Sequence, residues 1–387
     1  MKKFILNLLI YFPVLIIIVA VNYFVDPGHR YARKNYEYTI VKMLDMGHVA
    51  NVDDNFNDKR FKLFLAEHRA KSSVDILILG SSRTKLISEK LFPGKTCLNL
   101  SIGSADMVDE AGLYQACLRN QIQIKQVILL VDPDYFSEKN GGLSENTLEY
   151  DFHEYQQASR GRISSETLST PQYRDMTFLK RIEDFLGMLD YKMNILSPSY
   201  FQETIRYLFF KKRLSLYNTG FYDNPGNTIH VDGSLSYNEK YRNQTQKEID
   251  RLAMQYRNKI WEDYGCLSQQ RIEELERLID YIERNGSEVL IFNSCYHPYT
   301  YKRLTTLEKY KFVKKAMDFI PEFAAAHRLQ TIGTFDPAKS NCDKTDFYDA
   351  MHMSAPGIEK IVSSFFEKSD STGNRNSAKI HSTPNSR

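Results

Sequence analysis

A serine, a histidine and an aspartate are placed in this chain where nucleophilic chemistry could use them. Ser82 ends the stretch Val74-Asp-Ile-Leu-Ile-Leu-Gly-Ser-Ser82, and Asp349 stands three residues before His352 near the other end. A serine hydroxyl attacks poorly until a base takes its proton, and an imidazole serves as that base when a carboxylate holds its Nδ1–H. Asp-x-x-His on a loop entering a helix lets the carboxylate reach Nδ1 and leaves Nε2 free for a hydroxyl. Two serines, Ser81 and Ser82, follow Gly80 directly. A lone histidine is more often structural, so the conjunction of the three residues carries the reading.

The elements that must position them follow from pattern. Val74 to Leu79 is a short apolar run that breaks at Gly80, which reads as a buried strand; Arg83 to Leu91 reads as the helix after it. Such a break presents a hydroxyl and free backbone N–H groups at one point, where an α/β protein keeps a nucleophile or binds an anion. Thr96 to Leu100 and Gln126 to Val131 read as strands, with Ala105 to Asn120 helical between them. Strand, helix and strand at this spacing predict a parallel sheet whose strand ends carry the site.

From about 137 to 241 glycines, charges and tyrosines alternate with helical stretches, which reads as a large insertion at the sheet's functional edge. Lys211-Lys-Arg213 within it reads as a solvated face, with anionic-polymer binding the lesser alternative. The α/β pattern resumes with helices at Tyr241 to Tyr264 and Leu267 to Arg284, and a strand at Glu288 to Asn293. A helix at Leu304 to His327, a strand at Leu329 to Phe335 and a last helix near Gly357 to Phe366 complete it. The tail, 369–387, has a disordered composition. The expected fold is α/β, a flavodoxin-like three-layer arrangement around a five-stranded parallel sheet within residues 73–368.

At the N-terminus Lys2 and Lys3 precede an uncharged run, Phe4 to Phe24, long enough for a hydrocarbon core of roughly 30 Å. Residues 1–24 therefore read as an uncleaved signal anchor with a cytoplasmic N-terminus, a cleaved signal peptide being the alternative. Either places the rest outside the cytoplasmic membrane, with 25–72 a stalk or packing segment. A net charge of +3 gives no reason to expect nucleic acid, and the 25 tyrosines read first as ordinary core and interface residues, with tyrosine-lined clefts for sugars the lesser alternative. The cysteines at 97, 117, 266, 295 and 342 form no Cys-x-x-Cys pair, which argues against zinc ribbons and thioredoxin-like motifs; no ligand spacing supports a metal, and no cofactor is expected.

Gly80-Ser81-Ser82 after the first strand, Asn99-x-x-x-Gly103 after the second and Asp349-x-x-His352 before the last helix together resemble the SGNH (GDSL-like) hydrolase superfamily. Within it they look like the membrane-anchored, polysaccharide-modifying branch of DltD-like and AlgX/AlgJ-like proteins. The resemblance covers roughly 74–136 and 286–366. It implies Ser82 as nucleophile, His352 as general base and Asp349 as its orienter, with the backbone N–H groups of Ser82 and Gly103 in the oxyanion hole. The chain departs from the pattern at Val131-Asp-Pro-Asp134, where the superfamily has Gly-x-Asn-Asp. A carboxylate would oppose a developing oxyanion, so the hole is two-donor or completed from Asn293, Tyr296 or His297. Tyr296, His297, Asn293 and Asp134 are the substrate-cleft candidates; His230 and Asp232 carry less weight. The implied activity is that of an extracytoplasmic serine esterase or O-acyltransferase on a cell-envelope or exported polysaccharide, with a membrane acyltransferase as a further partner. The rival readings are a non-catalytic glycan-binding or assembly protein and a lipid-directed esterase.

Overall fold

A computed structural model of the chain describes residues 2–25, 36–52, 56–137, 148–160, 201–202, 204–205, 208, 226–262 and 265–377. The helices are α1 (Lys2–Val25), α2 (Tyr36–Asp45), α3 (Asp58–His68), α4 (Met107–Arg119), α5 (Glu149–Ser159) and α6 (Glu239–Arg242). They continue with α7 (Gln246–Met254), α8 (Lys259–Glu262), α9 (Gln269–Arg284), α10 (Pro298–Thr306), α11 (Lys311–Ala326) and α12 (Ala355–Ser377). The strands are β1 (Ala50–Val52), β2 (Ser73–Leu79), β3 (Cys97–Asn99), β4 (Gln123–Leu130), β5 (Asn227–Ile229), β6 (Leu235–Ser236), β7 (Glu288–Phe292) and β8 (Gln330–Ile332).

Five strands form one parallel sheet in the order β3-β2-β4-β7-β8. Strand side chains alternate between faces, and both faces here are apolar. Leu77, Leu79, Val127, Leu129, Val289 and Ile291 point to one side, where Tyr114 of α4, Leu278 and Ile282 of α9 and Val313 of α11 cover them. Ile76, Ile78, Ile128, Leu130, Leu290 and Phe292 point to the other, under Ile358, Ile361 and Val362 of α12. The chain starts at β2, steps to β3 on one side, then returns past β2 to β4, so strand order reverses between β2 and β4. In open α/β sheets the crevice at such a reversal, at the strands' carboxyl ends, is where ligands bind. Ser82 and Asp132 follow those two strands.

The segment after Ser82 differs from expectation. Residues 83–91 form turns and a short 3-10 helix, Glu89–Leu91, in place of an α-helix. Their carbonyls bond elsewhere. Asn99 Nδ2 donates to Thr84 O (2.9 Å) and Ile87 O (2.8 Å), and Leu235 N donates to Lys85 O (2.8 Å). A carbonyl held by a tertiary donor no longer needs the helical amide, so these contacts override local helix propensity. The expected helices at Tyr241 to Tyr264 and Leu304 to His327 are likewise broken, into α6–α8 and into α10 and α11.

Residues 36–52 and 56–72 pack into the body. Ile40, Val41, Leu44, Phe61 and Leu65 are fully buried, and β1 pairs antiparallel with β5 in a small sheet of order β1-β5-β6. Buried Lys62 ties this layer to the main sheet, its Nζ donating to Asn99 O (2.8 Å) and Gly233 O (2.7 Å). Gly233 has φ +84°, and a Cβ there would lie 2.5 Å from Asn99 O, so the hairpin can approach β3 only with glycine.

Helix α1 spans the expected anchor, but the side chains of residues 1–12 lie outside the described residues. Among the described residues no helix is long and apolar enough to cross a membrane. Helix α12 runs to Ser377, so the tail expected from 369 begins helical. Most of the insertion expected at 137–241, including Lys211 to Arg213, also lies outside the described residues.

Candidate active site

The turn after β2 requires Gly80. Its φ is +155°, and an added Cβ would lie 2.4 Å from Thr84 Oγ1 and 2.6 Å from Leu130 Cβ. Only glycine lets the chain turn so tightly against β4. Beyond it Ser81 is buried, its Oγ accepting the Arg83 N–H at 3.4 Å. Ser82 is the partly exposed one, and its Oγ lies 2.8 Å from His352 Nε2.

His352 arrives on a closed loop. Phe347 and Met353 form an antiparallel bridge, Tyr348 N donates to His352 O (2.9 Å), and Ser354 N donates to Asp346 O (2.7 Å). Inside this loop Asp349 Oδ1 accepts the N–H groups of Met351 and His352, each at 2.7 Å. Asp349 Oδ2 lies 2.8 Å from His352 Nδ1 and accepts the Tyr241 hydroxyl at 2.5 Å. Burial alone would push the Asp349 carboxyl up. The hydrogen bond and charge of His352, the Tyr241 hydroxyl and the Met351 N–H outweigh it and hold the carboxyl well below the usual range. A carboxylate fixed in this way assigns the proton to Nδ1 and turns the Nε2 lone pair toward Ser82.

Tyrosines wall this side of the site. The Tyr237 and Tyr241 rings lie 4.7 Å apart, Tyr241 and Tyr348 5.8 Å, and Tyr237 and His352 6.2 Å. Tyr237 also donates to the carbonyl of Ser82 at 3.3 Å. A separate cavity of about 500 Å³ is lined by Leu86, Lys90, His230, Asp232, Leu235 and Ala355 and by none of these tyrosines or the triad.

Beneath Ser82 the next side chain, Arg83, is 2% exposed. Its guanidinium pairs with Asp132 after β4, donates to Tyr296 OH (2.7 Å), and donates to Ser294 O (2.6 Å) and Cys295 O (2.9 Å) after β7. It also stacks over the Tyr296 ring, 3.9 Å from the centroid. Burial works against its charge, and Asp132 and Tyr296 more than offset that, so it stays protonated. One guanidinium thus fastens the carboxyl ends of three strands. Asp134 sits beside this pair; burial, then the charge of Asp132, push its carboxyl up to about 7.

This arrangement reassigns several expected residues. Asp132 is a counter-ion to Arg83, which accounts for a carboxylate where an oxyanion donor was looked for. Tyr296, His297 and Asn293 are buried to 1% exposure or less and do not front a cleft. Tyr296 packs on Arg83. His297 caps α10, its Nδ1 accepting Tyr299 N (3.3 Å), with Asp250 3.4 Å from Nε2. Asn293 takes Ile332 O through its own N–H at 2.9 Å. Gly103 does not present a free donor, because its N–H is bonded to Asp58 Oδ2 at 2.9 Å, and Asp58 in turn pairs with Lys85. His230 bonds Ser236 Oγ (2.8 Å), and Asp232 closes the hairpin turn through Ser234, both apart from the triad. Among the described residues no three His, Cys, Asp or Glu side chains converge as metal ligands.

Sequence reasoning missed Arg83, Asp58 and Tyr241. Only Arg83 carried a local signal, a charged residue directly after a buried strand and its turn.

The fold and the site together describe an α/β protein with a serine, a histidine and an aspartate in hydrogen-bonded series at the switch point of a parallel sheet. Residues 58–368 match the model of a family described as a protein of unknown function, DUF1574, and the chain belongs to that family. No curated protein matches the chain.

Proposed function

We propose that this chain is an SGNH-type serine enzyme, tethered through its N-terminal segment and working outside the cytoplasmic membrane. It acts as an esterase or O-acyltransferase on hydroxyls of a cell-envelope or exported polysaccharide. The observation that carries the reading is the Ser82 Oγ to His352 Nε2 distance of 2.8 Å, with Asp349 at Nδ1. In the first step the Ser82 oxygen forms a bond to the acyl carbon while its proton passes to Nε2. His352 then gives that proton to the departing alcohol oxygen as the old ester bond breaks. A sugar hydroxyl, or water, repeats the sequence in reverse and frees Ser82. Asp349 holds the imidazole and offsets the imidazolium charge.

The oxyanion hole is the demanding part. The Ser82 N–H is one donor, and the Gly103 N–H becomes a second only if the acyl oxygen displaces Asp58 from it. The tyrosines at 237, 241 and 348 are flat apolar surfaces with hydroxyl edges, which suit sugar rings.

The Asp58 contact favours a second reading, a non-catalytic glycan-binding or assembly protein that keeps the fold. Labelling with a fluorophosphonate separates them. The enzyme reading expects covalent labelling that Ser82→Ala abolishes. A folded chain left unlabelled, with glycan binding unchanged in Ser82→Ala and His352→Ala, would establish the second reading instead.

A further inference from the structure

The Asp349 carboxylate has four hydrogen-bond partners, and one of them comes from outside the motifs that carry the triad. Tyr241 lies in α6, whose first turn is capped by Asn238, with Asn238 Oδ1 accepting Tyr241 N at 2.9 Å. Arg242 Nε donates to Tyr237 O at 2.8 Å, and the Tyr237 and Tyr348 rings pack against the phenol ring and against each other. The hydroxyl so held is 2.5 Å from Asp349 Oδ2 and 3.3 Å from His352 Nδ1. The same Oδ2 faces Nδ1 at 2.8 Å, so phenol and imidazole share one oxygen.

We infer that Tyr241 is a positioning residue of the Ser82–His352–Asp349 series, setting how strongly the carboxylate pulls on the imidazole. The inference rests on the enzymatic reading above. Each hydrogen bond to a carboxylate oxygen withdraws charge from it, so the phenol weakens the attraction of Asp349 for an imidazolium. Oδ1 is fixed by the Met351 and His352 N–H groups, so the carboxylate keeps its orientation when the phenol is removed. What changes is the electrostatics. Burial, then the charge of Asp349, push the Tyr241 phenol far up, and it stays a donor across the working pH range. The other ionisable groups whose charges reach this pair or its immediate neighbours are Asp132 with Arg83, His297 with Asp250 and Lys344, and Tyr237, Tyr348 and Asp58 with Lys85. Of these, Tyr237 and Tyr348 touch Tyr241 through their rings, and Tyr241→Phe keeps that ring contact.

The experiment is the rate of Ser82 labelling by a fluorophosphonate against pH, in the full chain, for wild type and Tyr241→Phe. In that reaction the Ser82 Oγ–P bond forms, the P–F bond breaks and the serine proton leaves through His352. The expected result is a labelling midpoint about one pH unit higher in Tyr241→Phe, the worth of one hydrogen bond to a charged group. Tyr301→Phe in α10, which removes a hydroxyl that bonds no member of the triad, leaves the midpoint in place. Replacing Tyr241 alone by 3,5-difluorotyrosine, a stronger donor of nearly the same shape, moves the midpoint down and serves if the phenylalanine variant folds poorly. A labelled wild type with an unmoved midpoint in both Tyr241 variants overturns this inference alone. A folded wild type that never labels overturns the enzymatic reading and this inference with it.

Discussion

Replacing Arg83 by methionine tests whether the site is built on the buried guanidinium. The change keeps the length of the aliphatic stem and removes the charge that neutralises Asp132. Removing one partner of a buried ion pair costs about 3–5 kcal/mol. The Ser294 and Cys295 carbonyls and the Tyr296 hydroxyl also lose their donor, and even at the low end each adds about 1 kcal/mol unless water reaches it. Water entry and proton uptake by Asp132 recover part of the loss, leaving a net destabilisation of about 4–6 kcal/mol. That is between about a quarter and all of an ordinary domain's stability of roughly 5–15 kcal/mol. Urea unfolding followed by the fluorescence of Trp261 reports on this layer, because that ring is buried and packs on Tyr296 at 5.9 Å. The companion variant Arg83→Met/Asp132→Leu removes the stranded charge as well, and should recover about 2–3 kcal/mol of the loss. A single variant within about 1 kcal/mol of wild type, or a pair whose effects simply add, would refute the clamp.

Two further outcomes follow from the site's charges. Asp134 holds its proton up to about pH 7 in the folded chain and releases it near the ordinary carboxyl value when unfolded. Its contribution to stability is therefore full below about pH 4 and is lost as pH rises through about 7. Asp134→Asn should flatten that part of the stability–pH curve in urea titrations, and an unchanged slope between those limits would refute the assignment. Asp58→Asn keeps an acceptor for the Gly103 N–H while removing a negative charge from the place of a developing oxyanion. Fluorophosphonate labelling of Ser82 should then quicken by about 3–10-fold, a fraction of what a whole oxyanion donor is worth; equal or slower labelling would show that Asp58 does not oppose the reaction.

How far the sequence reached depends on whether a signal was local. The apolar run from Val74 to Leu79 with a break at glycine is a buried strand meeting a tight turn, paired on both edges by β3 and β4 and covered on both faces. Asp349 and His352 are three residues apart, so their pairing is a matter of loop geometry and could be read directly. The helix expected after Ser82 failed for the opposite reason. Its competitors, Asn99 and Leu235, are close only after β3 and the β5–β6 hairpin have docked. Tyr296, His297 and Asn293 follow a strand on the site's edge, which made them cleft candidates, yet the loop folds inward over Arg83 and buries them.

The sequence by itself determined a parallel α/β core, a serine at the end of its first strand and an aspartate–histidine pair near its last helix. Periodicity and short spacing encode these, because a strand's two apolar faces and a three-residue loop are local facts. Tertiary structure alone decided that Ser82 and His352, 270 residues apart, meet at 2.8 Å. It also decided that Arg83 neutralises Asp132, that Asp58 takes the Gly103 N–H, and that Tyr241 reaches Asp349. Those pairings are set by which strand ends and loops the sheet order brings together, and a one-dimensional pattern carries no distance between them.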